Sequence, residues 1–219
     1  MAKKIYLSPS DQDRNSYAYG NTNEAVQCRK IANACEKALN RCGFSVKNNQ
    51  TSSMANRVSE SNAWGADLHV CIHTNAFNGS VSGTRIFCYS TSGEEYKAST
   101  AIFNALAPIT PGKSENVTTN PGLYEINRTV CPCVYIEAEF HDVPNIAKWI
   151  IEHTSDIGEA IAKGICKHYG VTYKEEPTNS GNVLYRVQVG AFSVKSNADA
   201  MLAKLKKAGF DGYITTSSK

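Results

Sequence analysis

Between Ile5 and His168 short apolar runs alternate with longer amphipathic ones, and few folds accept that rhythm. Residues 5–7, 44–46, 67–73, 84–89, 123–126 and 134–140 are short, rich in branched or aromatic side chains, and read as strands. Residues 24–39, 54–64, 96–106 and 145–168 carry the 3.6-residue apolar spacing of helices. Pro144 opens the last of these and Gly158 lies inside it, which marks a break or two helices. A polar loop at 8–23 and a proline-bearing one with Pro108, Pro111 and Pro121 separate the remaining runs. Strands alternating with helices predict an α/β domain.

The rhythm stops at residues 174–182, a stretch without apolar side chains that holds Pro177, Ser180 and Gly181 and reads as a linker. Beyond it a strand is expected at 185–189, a helix at 197–208 capped by Gly209, and a strand at 213–215. The expected organisation is therefore a domain at 1–173, a linker at 174–182 and a small βαβ unit at 183–219. A chain of 219 residues has room for one full domain and little more. The unit at its end is too short to bury a comfortable core alone.

Composition narrows the function classes. A net charge of +3, spread along the chain, gives no basic patch for nucleic acid. No apolar run reaches the roughly 18 residues of a membrane span. Met1-Ala2-Lys3-Lys4 is basic, but neither a long apolar stretch nor a small-residue cleavage site follows, so no signal peptide is expected. A chain made without one folds in a reducing compartment. Eight cysteines fit that compartment as small buried apolar groups. Cys28, Cys35 and Cys42 recur every seven residues beside Ile31, Ala32 and Leu39, and Cys131-Pro132-Cys133 lacks the C-x-x-C spacing of redox or zinc motifs. Disulfides and metal ligation are the competing readings.

Two segments carry groups that could do chemistry. In Asp67-Leu68-His69-Val70-Cys71-Ile72-His73-Thr74-Asn75-Ala76 an apolar strand gives way to a polar loop at His73. Sites in open α/β sheets form outside the carboxyl ends of strands, so His73 is placed as a ligand. His69 shares its face but lies four residues, about 13 Å, away along the strand. One ion cannot take both, and His69 reads as a core or supporting histidine. The second segment is Val134-Tyr135-Ile136-Glu137-Ala138-Glu139-Phe140-His141, with two carboxylates and a histidine on one face of an apolar strand. Carboxylates so placed are costly unless paired, protonated or metal-bound, and a general base is one use for them. Glu24, which opens the first helix, is either a charge favoured by the helix dipole or a ligand.

In order and spacing these segments resemble the zinc-dependent N-acetylmuramoyl-L-alanine amidases, the cell-wall hydrolases known as autolysins and phage endolysins. The resemblance spans about residues 4–170 and rests on Ile5-Tyr6-Leu7-Ser8-Pro9-Ser10, Asn21-Thr22-Asn23-Glu24, and the segments ending at Ala76 and at Asp142. It implies a mostly parallel central sheet flanked by helices. It also implies cleavage of the amide between the lactyl group of N-acetylmuramic acid and L-alanine in peptidoglycan. Carried over by position, Glu24 and His73 are zinc ligands and Glu137 is the catalytic glutamate; Glu139 and His141 are secondary candidates. The family's first histidine ligand has no counterpart here. Asp11 is the expected replacement, with Gln12 the alternative and Arg14 a third alignment that could not ligate.

Residues 183–219 resemble half of a SPOR module, carried by Tyr185-Arg186-Val187-Gln188-Val189-Gly190-Ala191-Phe192, Asn197-Ala198, Lys204-Leu205 and Ala208-Gly209-Phe210. Full modules are βαββαβ and resemble binders of peptide-stripped glycan strands. The half module is expected to be incomplete, to pair with a second copy as a homodimer, or to pack on the amidase-like domain. The resemblance implies bacterial peptidoglycan as partner, synthesis in the cytoplasm, and action at the cell wall after release by a holin, lysis or another route. Two other readings share the site: a non-catalytic peptidoglycan-binding homologue that has lost a zinc ligand, and a zinc deacylase of another small amide.

Overall fold

A computed structural model describes residues 2–113, 116–176 and 187–216. They fall into two units, Met1–Glu176 and Pro177–Lys219. The first is built on a six-stranded sheet of order β2-β1-β3-β6-β4-β5. Its strands are β1 (Lys4–Pro9), β2 (Ser45–Asn48), β3 (Leu68–Asn75), β4 (Arg85–Cys88), β5 (Asn116–Thr119) and β6 (Cys133–Phe140). All neighbours are parallel except β4 and β6, which run antiparallel. The mostly parallel sheet expected above is what forms.

Alternation along the central strands sorts side chains onto two unlike faces. Ile5 and Leu7, Val70 and Ile72, and Val134, Ile136 and Ala138 point to one face and join a single apolar core. That core is closed by α1 (Glu24–Arg41), α3 (Glu94–Leu106), α5 (Pro144–Glu152) and α6 (Thr154–Tyr169). Asn23 starts α1 by accepting a hydrogen bond from the Val26 amide, as an N-cap does. Cys28 and Cys35 lie in this core with Ile31, Ala32 and Leu39, so on this helix the seven-residue spacing is a packing signal.

The break in the long C-terminal helical run falls at His153, between α5 and α6, and not at Gly158. Gly158 sits mid-helix because α1 crosses there: a Cβ would come within 2.6 Å of the Ile31 carbonyl oxygen. Gly164 does the same for α3, where a Cβ would lie 2.3 Å from the Cα of Ile102. Close helix contact, rather than a turn, explains both glycines.

The opposite face carries Tyr6, Ser8, His69, Cys71, His73, Cys133, Tyr135 and Glu137, by the same alternation. It is covered by α2 (Met54–Trp64) and α4 (Tyr124–Arg128). Residues 123–126, expected as a strand, belong to this short helix and its N-cap. Leu123 and Ile126 are three apart, a helical spacing, and both pack on Cys71 and Cys133. Strand β5 carries no strand pattern of its own, because Val117 is the single apolar residue of Asn116–Thr119; its pairing with β4 makes it a strand.

In the second unit the described residues hold one helix, α7 (Lys195–Lys207), with none of its residues buried. Residues 187–190 and 213–215 are in no sheet there. Part of the expected linker and of the first expected strand, residues 177–186, lies outside the described residues.

Candidate functional site

Parallel strands leave their carboxyl ends on one edge, and there β3 and β6 are in register with His73 opposite Glu137. Immediately beyond, a register shift between His73 and Asn75 ends the regular pairing. Glu24 reaches the same point from the first turn of α1. Its Oε1 lies 2.8 Å from His73 Nδ1. Tyr135, two residues before Glu137 on the same face, stacks on the His73 ring with centroids 4.4 Å apart. Glu24, His73 and Glu137 are thus brought together from three distant segments.

The loop after β1 completes the cluster through residues that sequence reasoning placed second or missed. Gln12 Nε2 is 3.4 Å from His73 Nδ1. The Asn15 side-chain amide donates to Gln12 Oε1 and to Glu24 Oε2, both at 2.8 Å. The backbone repeats the clamp: the Glu24 amide donates to the Asn15 carbonyl. Asn15 sits in a polar loop whose composition offers no signal for such a role. Tyr135 could have been found, because alternation on β6 puts it on the Glu137 face.

Asp11 does not join them. Its half-exposed carboxylate is 3.5 Å from Nη2 of Arg57, a guanidinium buried under α2 that also donates to the Pro9 carbonyl. Gln12 sits at the centre of a tight turn closed by the Asp13 amide on the Asp11 carbonyl, and there Asp11 faces Arg57 while Gln12 faces His73. The secondary candidates also lie apart from the cluster. Glu139 accepts hydrogen bonds from the Gly83 and Gly112 amides, both 2.7 Å, and so pins two loops. His141 Nδ1 lies 3.0 Å from Thr74 Oγ1, and its ring stacks on Tyr17.

Electrostatics divide the two glutamates. Burial opposes ionisation of Glu24, but the hydrogen bond and charge of His73, with Asn15 and Ser10, hold its carboxyl below the ordinary range. Glu137 has no such donors: burial, aided by the charge of Glu24 and countered in part by His73, pushes its pKa up to about 7. His73 is raised, because Glu24 and Glu137 outweigh the desolvation that would lower it. His73 Nε2 and Glu137 Oε2 are both shielded and have no hydrogen-bond partner among the described residues. A carboxyl group poised near neutrality beside an imidazole–carboxylate pair can exchange a proton with a bound reactant.

His69 lies deeper on the same face and makes a separate pair. Its Nε2 is 3.1 Å from Glu125 Oε1 and its Nδ1 3.0 Å from Ser61 Oγ. Ser8 donates to the same Glu125 oxygen. His69 is fully buried and remote from the strand end, as its position along β3 predicts.

Comparison with known proteins bears on both units. The family described as N-acetylmuramoyl-L-alanine amidase matches residues 7–167, and the SPOR domain family matches residues 167–219. The sporulation-specific N-acetylmuramoyl-L-alanine amidase of Bacillus subtilis (strain 168) is 25% identical over 218 residues, covering 96% of this chain and 84% of that one. The N-acetylmuramoyl-L-alanine amidase CwlM of Bacillus licheniformis is 26% identical over 171 residues, 78% of this chain and 65% of its own length. Among solved structures, the catalytic domain of CwlV, an N-acetylmuramoyl-L-alanine amidase from Bacillus (Paenibacillus) polymyxa var. colistinus, superposes with a TM-score of 0.69 at 19% identity. It covers 78% of this chain and 99% of that domain.

Proposed function

The chain belongs to the N-acetylmuramoyl-L-alanine amidase family and acts as an amidase on peptidoglycan; from that premise we propose that Gln12, Glu24 and His73 hold a zinc ion and that Glu137 moves the protons. The donor set decides whether a cation fits. Glu24 Oε1 and His73 Nδ1 are 2.8 Å apart, a hydrogen bond that must open only to the ~3.4 Å separating two N or O ligands of one tetrahedral zinc, and Gln12 stands beside them with its Nε2 3.4 Å from the ring nitrogen. Imidazole and carboxylate suit zinc; an amide is neutral and binds more weakly than an imidazole. Glu24 and His73 therefore fit zinc, and Gln12 completes the set by turning its Oε1 toward the ion, a looser hold than a further histidine would give. When bound, the ion would supply Lewis acidity at the scissile carbonyl and at water.

The remaining chemistry belongs to the protein. Glu137, with a free Oε2 at the strand end, takes the proton of the attacking water as the carbon–oxygen bond forms. It then delivers that proton to the departing L-alanine nitrogen as the carbon–nitrogen bond breaks. Asn15 keeps Glu24 and Gln12 in position through two hydrogen bonds from one amide. Tyr135 holds the His73 ring by stacking. The SPOR region adds a contact to peptidoglycan, and glycan strands already stripped of peptides are the form we assign to it.

The observation that carries this reading is Glu137, raised by burial and with its Oε2 without a hydrogen-bond partner among the described residues, beside the His73–Glu24 pair. Purified cell walls incubated with the full chain should release free stem peptides beginning with L-alanine. A chelator should stop the release and added zinc restore it. Binding to walls without any peptide release would instead favour the non-catalytic reading, to which the neutral Gln12 points.

A further inference from the structure

The groove under α2 and α4 holds a second cluster that the amide-cleaving site does not use. His69 and Cys71 project from β3 and Cys133 from β6, all buried, with one ligand atom from each lying within 4.8 Å of the others. Cys71 Sγ and Cys133 Sγ are 3.9 Å apart. Two thiolates on one tetrahedral zinc stand about 3.8 Å apart. Glu125 stands beside this trio, outside its 4.8 Å spread, and reaches it from α4 through His69, its Oε1 3.1 Å from His69 Nε2. Its Oε2 is buried with no hydrogen-bond partner among the described residues. A fully buried carboxylate oxygen left unpaired is costly, and a cation is the partner that would satisfy it.

We propose that His69, Cys71 and Cys133, with Glu125 turning in as the fourth ligand, form a second, thiolate-containing site for a divalent cation of the zinc type, stapling β3 to β6 beneath the strand ends that carry His73 and Glu137. The surroundings suit a ligand set of one imidazole, two thiolates and one carboxylate. Ser61 Oγ, 3.0 Å from His69 Nδ1, fixes the ring and leaves Nε2 on the Glu125 side, as supporting groups do around metal-bound histidines. Ser8 orients Glu125 in the same manner. Each thiol gives up one proton as it binds, so occupancy releases two protons per ion. Four buried donors offer no open position for substrate, which makes the site a structural one. It stands independently of what the strand-end cradle binds.

Cobalt reports the difference between the two sites, because only thiolate ligands give an intense near-ultraviolet ligand-to-metal band. The full chain, produced in cells supplied with Co²⁺ and purified without oxygen, should show that band at about one thiolate-bound ion per chain. Glu24→Gln, which disables the N/O cradle, should leave the band in place. Cys71→Ser and Cys133→Ser should each abolish it while far-ultraviolet circular dichroism stays that of the parent. If the serine variants do not fold, X-ray absorption of the cobalt-loaded parent decides: sulfur in the first coordination shell supports the site. A parent chain without the band or without sulfur scattering, or a band that survives in both folded serine variants, overturns it.

Discussion

Strand β3 presents two histidines to one face of the sheet, each stacked on a tyrosine and each paired with a buried glutamate. His69 stacks on Tyr6 and meets Glu125 at 3.1 Å; His73 stacks on Tyr135 and meets Glu24 at 2.8 Å. The inner pair has both ring nitrogens engaged and lies under two helices. The outer pair leaves Nε2 without a partner among the described residues and looks onto a loop in which Gln12 is exposed. Identical residue types thus take opposite tasks. What separates them is four residues of strand, enough to pass from the closed middle of a sheet to the edge where loops diverge.

Their neighbours sharpen the contrast. The inner pair is surrounded by thiols and hydroxyls, the outer by oxygens and amides. His69 is fully buried, whereas Glu137 is only partly so and the loop residue Gln12 next to His73 is exposed, which puts the outer pair nearer to where a substrate arrives.

The largest effect expected from breaking the comparison is on the outer side. Glu137→Gln keeps the shape but cannot take a proton, and should lower the rate of stem-peptide release by about 10²–10⁴-fold with the melting temperature held. An unchanged rate would remove Glu137 from the mechanism. On the inner side the loss should be of stability. His69→Ala leaves Glu125 buried without its imidazole partner and should cost about 3–5 kcal/mol in urea unfolding, whereas His73→Ala, which leaves the equally buried Glu24 the Asn15 amide as a donor, should cost about 1–2 kcal/mol. Equal costs would mean that strand position does not distinguish the pairs.

Two smaller effects test the outer cradle. Gln12→His exchanges an amide for an imidazole and should tighten zinc binding roughly tenfold or more by competition with a chromophoric chelator. No tightening would show that residue 12 does not face the ion. The pH profile is the subtlest. The folded Glu137 pKa of about 7 lies above its ordinary value, and the base works ionised, so kcat/KM should rise with pH. A bound cation favours the carboxylate, so the acid limb should fall at or below about pH 7. For stability the sign is opposite: a raised carboxyl pKa favours the folded state most at low pH. In the metal-free protein the contribution should fade as pH climbs from about 4.5 to about 7. A stability that grows through this window would contradict the raised value.

Much of this was legible without coordinates. The alternation of runs between Ile5 and His168 carries the α/β class, and helix α2 begins and ends where the apolar spacing does. Burial of one strand face against polar groups on the other is a period-two pattern, so Glu137 and His73 announced themselves as costly or useful residues. Elements held by pairing rather than by their own pattern were not legible. Strand β5 has one apolar residue, and the helical turn at Tyr124–Arg128 is too short for periodicity to speak. Glu125 stayed hidden for that reason.

By itself, then, the sequence determined the layers, the strands that carry His73 and Glu137, and the helix whose first residue is Glu24, because these depend on local periodicity and capping. Only the tertiary structure decided which loop residue faces the site. Asp11 and Gln12 are neighbours with equal local credentials, and Arg57, 46 positions further on in α2, draws one away and so presents the other. Contacts between distant segments settle such choices, because the local pattern of a polar loop carries no information on which way each side chain faces.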